Sequence, residues 1–205
     1  MPKNIICKIG MVQSNTIASN IFVSLIDHDF RQVTYATPHE YVKLYMDAYR
    51  ASKVKKNASL NGNFFEIVIK TLLYREGILP YYSQAKAAFV PNIIYDVLLY
   101  SKSEPVSLSL KTSLRERYKQ ADLEAVALKY VHRKSKSFIL TIEKNEADGA
   151  KEKVKSGNIL GLDGIIYCLS EELDTLIGNL KKKTFAESEK IEVIEGALVR
   201  SIDLV

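Results

Sequence analysis

The sequence has few residues of the kinds that form disulfides or bind zinc. It contains two cysteines, Cys7 and Cys168, and three histidines. Two cysteines are too few for a disulfide scaffold, and no cysteine or histidine pair has the spacing of a zinc site. We therefore expect a reducing compartment and no structural zinc. Cys168, inside the apolar segment IIYCLS, is expected to be a small buried residue.

Long apolar runs and phosphate-binding glycine loops are also missing. No stretch approaches the roughly 20 apolar residues of a membrane span. The N-terminal residues lack the apolar core and cleavage site of a signal peptide. Neither GxxxxGKS/T nor GxGxxG after a strand occurs, which leaves nucleotide hydrolysis and dinucleotide binding without support. The sequence thus predicts a cytoplasmic protein without a membrane segment.

The composition indicates one folded unit with a basic surface. The chain has 205 residues, 47% hydrophobic and 26% charged, with a net charge of +5. This length suffices for one well-filled core and is marginal for two. We expect a single domain over 1–205, with a helical or irregular part at about 1–60, a core at about 61–180 and a tail at about 181–205. The positive charge favours an acidic partner, most commonly nucleic acid.

Helical patterns occupy the part of the chain before the expected sheet. Apolar residues at helical spacing predict a helix from about His39 to Ala51, which Thr37 can cap just before Pro38. Asn61-Gly62-Asn63 is typical of a loop. The following segment, FFEIVIKTLLYREG, predicts a helix that ends at Gly77.

Strand patterns then alternate with helices. QAKAAFV, NIIYDVLLYS and VSLSLKTS predict three strands, with turns at Pro91 and at Ser103-Glu104-Pro105. SFILTIE and DGIIYCLS predict two more strands separated by a short helix, and EELDTLIGNLKKK predicts a last helix. This order indicates an α/β fold whose sheet begins as a meander and continues through crossover connections. The helix after the third strand has an apolar stripe at steps of four and three: Leu114, Tyr118, Ala121, Ala125 and Leu128.

Asp96 and Lys111 are the first candidates for a functional site. Asp96 interrupts an apolar run, where an isolated buried charge is costly unless it is paired or bound to a metal. Lys111 ends the next strand, and a short connection places the two residues on neighbouring strands. Hydrolysis of a phosphodiester needs carboxylates that hold a divalent cation and a positive charge that stabilises the reacting groups.

This arrangement resembles the PD-(D/E)xK nuclease pattern, with Tyr95 in place of the proline and Ser109 in place of the usual second acid. One subgroup has moved that acid onto the following helix, thirteen or fourteen residues after the lysine. Glu124 lies thirteen residues after Lys111. The same subgroup carries a triplet such as Arg115-Glu116-Arg117 and a glutamate like Glu66 on the helix before the sheet.

The subgroup comprises the CCGG-type type II restriction endonucleases, which are similar to EcoRII and NgoMIV, and the resemblance covers about residues 62–133. It implies a restriction-endonuclease-like mixed central sheet flanked by helices. By resemblance, Asp96 and Glu124 ligate Mg²⁺ with help from the backbone carbonyl of Leu110. Lys111 orients or deprotonates the attacking water and stabilises the developing charge. Glu66 holds a second ion or a bridging water.

Ordinary structural roles remain alternatives for each of these residues. Asp96 can be a strand-end aspartate that faces solvent. Glu66 can be a solvated helix residue, and Glu124 a surface acid paired with Lys119 or Lys129.

The triplet Arg115-Glu116-Arg117 suits the reading of G·C pairs. Arginine forms bidentate hydrogen bonds to guanine, and glutamate accepts from cytosine N4 in the major groove. Contacts to phosphates, which position a duplex without reading its sequence, are expected from Lys119, Arg133, Lys134 and Lys136. The alternative is an amphipathic helix with a charged outer face.

The leading hypothesis is therefore a homodimeric, Mg²⁺-dependent type II restriction endonuclease that cuts double-stranded DNA at a short palindrome containing CC and GG. A two-fold dimer presents its reading helix twice, and pairing of dimers into a tetramer stays open. The resemblance also implies a cognate DNA methyltransferase in the host. A structure-selective repair or junction-resolving nuclease and a catalytically inactive DNA-binding module are the alternatives.

Overall fold

The fold was analysed in a computed structural model that describes residues 3–26, 29–90, 92–188 and 193–200. Within these residues the chain forms seven helices and one sheet of six strands. The first four helices precede the sheet: α1 (Ile5–Lys8), α2 (Ile17–Ser24), α3 (Pro38–Ala51) and α4 (Ala58–Arg75). The strands and later helices are β1 (Tyr81–Ala87), β2 (Tyr95–Leu99), β3 (Val106–Lys111), α5 (Arg117–Val131), β4 (Lys136–Thr141), α6 (Lys144–Lys155), β5 (Gly164–Tyr167), α7 (Glu171–Leu180) and β6 (Val193–Val199).

The predicted helix from His39 to Ala51 is confirmed as α3. A free amide at its N-terminus is bound by a side chain that is distant in sequence. Thr37 makes no capping hydrogen bond with its side chain, which bonds the His39 ring instead. The His39 amide donates to Asp174 Oδ1 in α7 at 2.9 Å. The expectation that Thr37 is the side-chain cap is therefore wrong, because a carboxylate from a neighbouring helix takes the free amide.

Helix α4 begins earlier than the sequence analysis predicted. The Asn57 side chain accepts from the Leu60 amide at 2.8 Å, so the helix starts at Ala58. Asn61-Gly62-Asn63 is thus helical and not a loop, which corrects the prediction. Burial of the following Phe64 and Phe65 offsets the roughly 1 kcal/mol by which an interior glycine weakens a helix. Gly77 follows the C-terminus with a φ of +70°, as expected for a glycine that ends a helix.

The sheet confirms the predicted mixed α/β fold. Its strand order is β5-β4-β3-β2-β1-β6. Strands β1, β2 and β3 form an antiparallel meander, whereas β3, β4 and β5 are parallel and are connected through α5 and α6. The predicted turn at Pro91 lies outside the described residues.

Strand β6 was not predicted from the sequence, which placed 181–205 in a tail. It pairs antiparallel with β1, with Ser83 opposite Ala197. Gly196 permits this pairing, because a Cβ built there would lie 3.1 Å from the Ala85 Cα. The edge of the meander is therefore covered by a segment that is distant in sequence.

Helices pack on both faces of the sheet. Helices α1 to α4 and α7 share one core with strand residues such as Val97 and Leu108. Helices α5 and α6 pack on the other face against Ile139 and Ile165. Alternation along β3 explains this division, since Leu108 and Leu110 face α4 while Ser107 and Ser109 line a cavity under α5. None of the helices in the described ranges is long and apolar enough to cross a membrane.

Candidate active site

Asp96 and Lys111 meet where β2 and β3 separate. The ladder between these strands ends at the pair Val97 and Leu108, so Asp96 is the next residue beyond it. Its Oδ2 accepts from the Leu110 amide at 2.7 Å and from Lys111 Nζ at 2.8 Å. The carboxylate thus replaces the missing backbone partner of Leu110. The short connection between β2 and β3 brings the two predicted residues into direct contact.

Glu124 reaches the same place from α5. The apolar stripe predicted from Leu114 to Leu128 is buried, so the helix packs along the sheet with Glu124 at its edge. The Tyr95 hydroxyl donates to the Glu124 carbonyl oxygen at 3.1 Å and attaches the helix to the start of β2. Gln120 Nε2 donates to Glu124 Oε1 at 2.8 Å.

Glu124 lines the same small cavity as Asp96, and the charges of Asp96 and Lys111 both act on its pKa. Burial raises the pKa of its carboxyl group above that of an ordinary glutamate. The hydrogen bond from Gln120 and the charge of Lys111 lower this pKa, while the negative charge of Asp96 raises it. Two neighbouring carboxylates repel each other, and a cation bound between them relieves that repulsion.

Ser109 adds a third oxygen. Its Oγ is buried and has no hydrogen-bond partner in the described part of the chain. Together with Tyr95, Asp96 and Glu124 it lines a cavity of about 10 Å³ beneath α5. A cavity of this size is close to the least that holds one water. Buried hydroxyls normally have a partner, and in this position either a water or a bound ligand can supply it.

The oxygen donors at this position fit Mg²⁺. Asp96 Oδ1 and Glu124 Oε2 accept no hydrogen bond from the described residues, and the Ser109 hydroxyl is free. The Leu110 carbonyl faces the same side as its amide, toward Asp96, because both groups of one strand residue point to the same edge. No group of three or more His, Cys, Asp or Glu that could hold a metal occurs among the described residues. Mg²⁺ needs few protein ligands, because it keeps several waters.

Glu66 lies on the opposite face of the sheet. It belongs to α4, and its Oε2 accepts from the buried Lys70 Nζ at 2.9 Å and from Gln84 Nε2 at 3.2 Å. These residues line a cleft of about 610 Å³ between α4, β1 and the segment around Gln13. The structure therefore does not bring Glu66 into one ligand group with Asp96 and Glu124.

The triplet Arg115-Glu116-Arg117 lies at the N-terminal end of α5 and is exposed. Arg115 has a φ of +37°, which is uncommon for a residue with a side chain and concentrates at functional sites. Neither arginine side chain makes a hydrogen bond or ion pair with the described residues, whereas Glu116 pairs with Lys119. This pairing lowers the pKa of Glu116.

Glu146 positions this turn and was missed by the sequence analysis. It lies in α6 and accepts from the Leu114 amide and from Ser113 Oγ at 3.3 Å. The turn before Arg115 is thereby attached to the next crossover helix. Nothing in the sequence distinguishes Glu146 from the other charged residues of α6, so no pattern could have identified it.

Lys134 and Lys136 lie far from this end of the sheet. Lys136 is opposite Val106 at the start of β3, whereas Lys111 is opposite Thr141 at its end. Five strand steps separate the two ends, about 17 Å. Lys136 pairs with Asp163 at 2.9 Å, and Lys134 is exposed. The structure thus does not bring these two lysines together with the triplet.

Comparison with known proteins gave one similar fold. No protein-family model matches the chain, and no curated protein matches it. Among solved structures, the crystal structure of the type IIP restriction endonuclease Kpn2I is similar, with a TM-score of 0.43 and 15% sequence identity. The similarity covers 80% of this chain and 71% of that one. At this level of similarity, we infer function from the geometry of the site alone.

Proposed function

We propose that this protein is a type II restriction endonuclease that hydrolyses double-stranded DNA with Mg²⁺ at a short palindrome containing CC and GG. The observation that carries this proposal is the convergence of Asp96, Glu124 and Lys111 beside the unpartnered Ser109 hydroxyl. This group lies at the end of the central strands β2 and β3, next to the N-terminal end of α5, where the side chains of Arg115 and Arg117 are exposed and make no ion pair with the described residues. Acidic and basic groups are thus combined as phosphodiester hydrolysis requires.

Each residue of the site has a chemical role in this proposal. Asp96 and Glu124 hold the cation, with the Leu110 carbonyl and the Ser109 hydroxyl as further oxygens. When bound, Mg²⁺ lowers the pKa of a coordinated water and withdraws charge from the phosphate. Lys111 is held 2.8 Å from Asp96 Oδ2, so its ammonium is positioned to orient the water and to neutralise charge that develops on the phosphate. Glu66 would hold a second ion or a water in its own cleft on the α4 side of the sheet, where it accepts from Lys70 and Gln84.

The N-terminal end of α5 is proposed to enter the major groove. Arg115 and Arg117 each offer a planar fork of donors that matches guanine O6 and N7. Glu116 can accept from cytosine N4 once it is released from Lys119, with which it now pairs. Lys119, Lys134 and Lys136 are proposed to contact phosphates. The distance of Lys134 and Lys136 from the triplet requires that such contacts lie well away from the bases that are read.

The same proposal includes a two-fold symmetric homodimer. A homodimer with a two-fold axis presents Arg115 and Arg117 twice in opposite directions, and the site that it reads is then a palindrome. An enzyme that cuts such a site needs its host DNA protected, so we also propose a cognate DNA methyltransferase as a functional partner.

The proposal is tested by plasmid cleavage with purified protein in Mg²⁺, in Ca²⁺ and in EDTA, with Asp96→Asn as the matched control. Discrete fragments in Mg²⁺ alone, absent with the variant, are the expected result, and the fragment ends define the site. Cleavage of branched substrates but not of plasmid would identify a structure-selective nuclease instead. Binding of duplex in Ca²⁺ without cleavage in Mg²⁺ would identify an inactive DNA-binding module.

A further inference from the structure

Helix α5 has an apolar stripe on its outer face as well as on its inner one. Leu123, Val126 and Tyr130 are 69%, 38% and 88% exposed, although the opposite side of the helix is fully packed. A helix that is apolar on two faces needs cover on both. Exposed apolar residues that form a continuous surface mark interaction sites.

The loop between α6 and β5 extends this outer face. Leu160, 77% exposed, lies beside Val126 and Tyr130 in a groove of about 510 Å³ that Arg133 also lines. Asp122 Oδ1 accepts from the Gly161 amide at 2.6 Å and also from the amides of the residues on either side.

Two further features hold this loop against the helix. A Cβ on Gly161 would lie 2.5 Å from the Asp122 carbonyl oxygen, so only glycine fits here. Lys129 Nζ donates to the Gly161 carbonyl at 2.6 Å. The loop is thus attached to the helix by side chain and backbone, and the surface is formed before any partner binds. Preformed surfaces lose less entropy on association.

We propose that this surface, defined by Leu123, Val126, Tyr130 and Leu160, binds the same surface of a second copy of this chain, with the two α5 helices antiparallel. Charged residues flank the apolar stripe at both ends. Glu116 and Lys119 lie at the N-terminal end of α5, and Arg133 follows the end of the helix at Val131 and lines the groove beside Tyr130. Within the helix, Lys119, Leu123, Val126 and Tyr130 follow at steps of four, three and four, the spacing of a helix–helix seam. With Glu116 before them and Arg133 after them, they form a series that runs from an acidic to a basic end.

When two copies of this series run antiparallel, the acidic end of one copy lies beside the basic end of the other. An antiparallel pair with its axis between residues 124 and 125 places Leu123 against Val126 of the partner subunit. Lys119 then faces Tyr130 of the partner subunit, a cation over an aromatic ring. Glu116 faces Arg133 of the partner subunit, so that opposite charges meet at both ends. A parallel pair would instead place Glu116 against Glu116 and Arg133 against Arg133. The charge order therefore selects a second copy in one orientation.

The pairing involves one of the proposed reading residues, Glu116, and neither Arg115 nor Arg117. The two α5 N-termini would lie about 22 Å apart along the helix pair, at 1.5 Å per residue. Glu116 pairs with Lys119 within the chain and would have to leave it to reach either the partner or a base. It can serve only one of them at a time, so in this dimer the base contacts would rest on Arg115 and Arg117, and Glu116 would read cytosine only when it is released from the partner. The dimer needs neither DNA nor metal, so its failure and that of the nuclease proposal are distinguishable.

The first test measures mass against concentration by analytical ultracentrifugation without DNA or Mg²⁺. The wild-type protein should be a dimer, and Val126→Lys should raise its dissociation constant by roughly tenfold or more. Ile17→Lys is the matched control, because Ile17 is 72% exposed on α2, away from this surface. A monomeric wild-type protein, or a Val126→Lys dimer as tight as that of Ile17→Lys, would overturn the proposal.

The second test uses milder changes that leave the fold intact. Arg133→Glu should weaken the dimer, and adding Glu116→Arg should restore it. A mixture of Leu123→Cys and Val126→Cys chains should cross-link on oxidation far more than either chain alone, because the antiparallel pair joins these two positions. The native cysteines are buried and do not interfere. Equal cross-linking of each variant with itself, or no restoration by the charge exchange, would exclude the antiparallel pair.

Discussion

The two ends of the parallel strands β3 and β4 each hold an aspartate beside lysine, yet the two aspartates are satisfied differently. At the Lys136 end, both carboxylate oxygens of Asp163 are engaged, by Lys136 at 2.9 Å and by Lys129 at 2.8 Å with the Ser137 amide. At the Lys111 end, both donors converge on Oδ2 of Asp96, and Oδ1 stays open.

The carboxylates at the two ends also differ in their electrostatics. Burial raises the pKa of Asp163, but hydrogen bonds from Lys129, Lys136 and the Ser137 backbone outweigh it, so the net pKa is lowered. The pKa of Glu124 at the other end is raised, chiefly by burial. A carboxylate such as that of Asp163, with both oxygens hydrogen-bonded and a lowered pKa, stabilises the fold. A pair of open carboxylates beside an unpartnered hydroxyl costs stability and is suited to a ligand.

The largest expected effect is on the rate of DNA cleavage, which should depend on Asp96 and not on Asp163. Asp96→Ala and Lys111→Ala should each lower the rate of DNA cleavage by roughly 10³-fold or more, since metal binding and charge stabilisation each lower the barrier by several kcal/mol. The free energy of unfolding should fall by about 1–3 kcal/mol for Asp96→Ala, because its hydrogen bonds with the Leu110 amide and Lys111 are lost, but the protein should stay folded. Cleavage rates in Mg²⁺ and urea unfolding check both statements, and near-normal cleavage by Asp96→Ala would remove the site assignment.

Asp163→Asn is the matched control at the other end of the strands. It should keep cleavage but lower the free energy of unfolding by about 1–3 kcal/mol, because charge-assisted hydrogen bonds are lost. The folded pKa of Asp163 is below its ordinary value of 3.8, so its contribution is present above that pH. The difference from the wild type should therefore disappear as the pH falls through the lowered folded pKa. A difference that persists there would exclude ionisation as its source.

The next prediction compares the two residues that can supply the second acid. Glu124→Ala should lower cleavage about as much as Asp96→Ala, because Glu124 carries the charge that the motif lacks at Ser109. Ser109→Ala should lower it by less than about tenfold, since a neutral hydroxyl contributes at most one weak ligand. Cleavage rates measured over a range of Mg²⁺ concentrations distinguish metal affinity from turnover. The opposite ranking would make Glu124 a surface acid.

The smallest expected effect concerns DNA binding at the two ends of the sheet. Arg115→Ala or Arg117→Ala should each reduce discrimination for the specific duplex by about 1–3 kcal/mol. Lys134→Ala or Lys136→Ala should weaken specific and non-specific binding alike, and reduce the salt slope by about one for each lost phosphate contact. Gel-shift titrations in Ca²⁺, with duplexes that contain or lack paired CC and GG steps, measure both. Equal losses for both duplexes with the arginine variants would mean that this helix end contacts only the backbone.

The local patterns of the sequence were sufficient for most of the elements near the site. The stripe from Leu114 to Leu128 predicted which face of α5 is buried, because helical period alone decides which residues share a face. The short connection between β2 and β3 predicted that Asp96 and Lys111 lie close together, and they do. The placement of Asn61-Gly62-Asn63 was wrong, because loop propensity was overridden by the Asn57 cap and by packing of the helix that follows.

What the sequence by itself determined is therefore what local periodicity and short connections control: the helix and strand order from α3 to α7, the buried face of α5 and the meeting of Asp96 with Lys111. Only the tertiary structure decided the rest. It placed β6 against β1, Glu66 across the sheet, and Glu146 under the turn before Arg115. These positions depend on long-range packing and on which distant group satisfies a free amide, and no repeat or spacing along the chain encodes them.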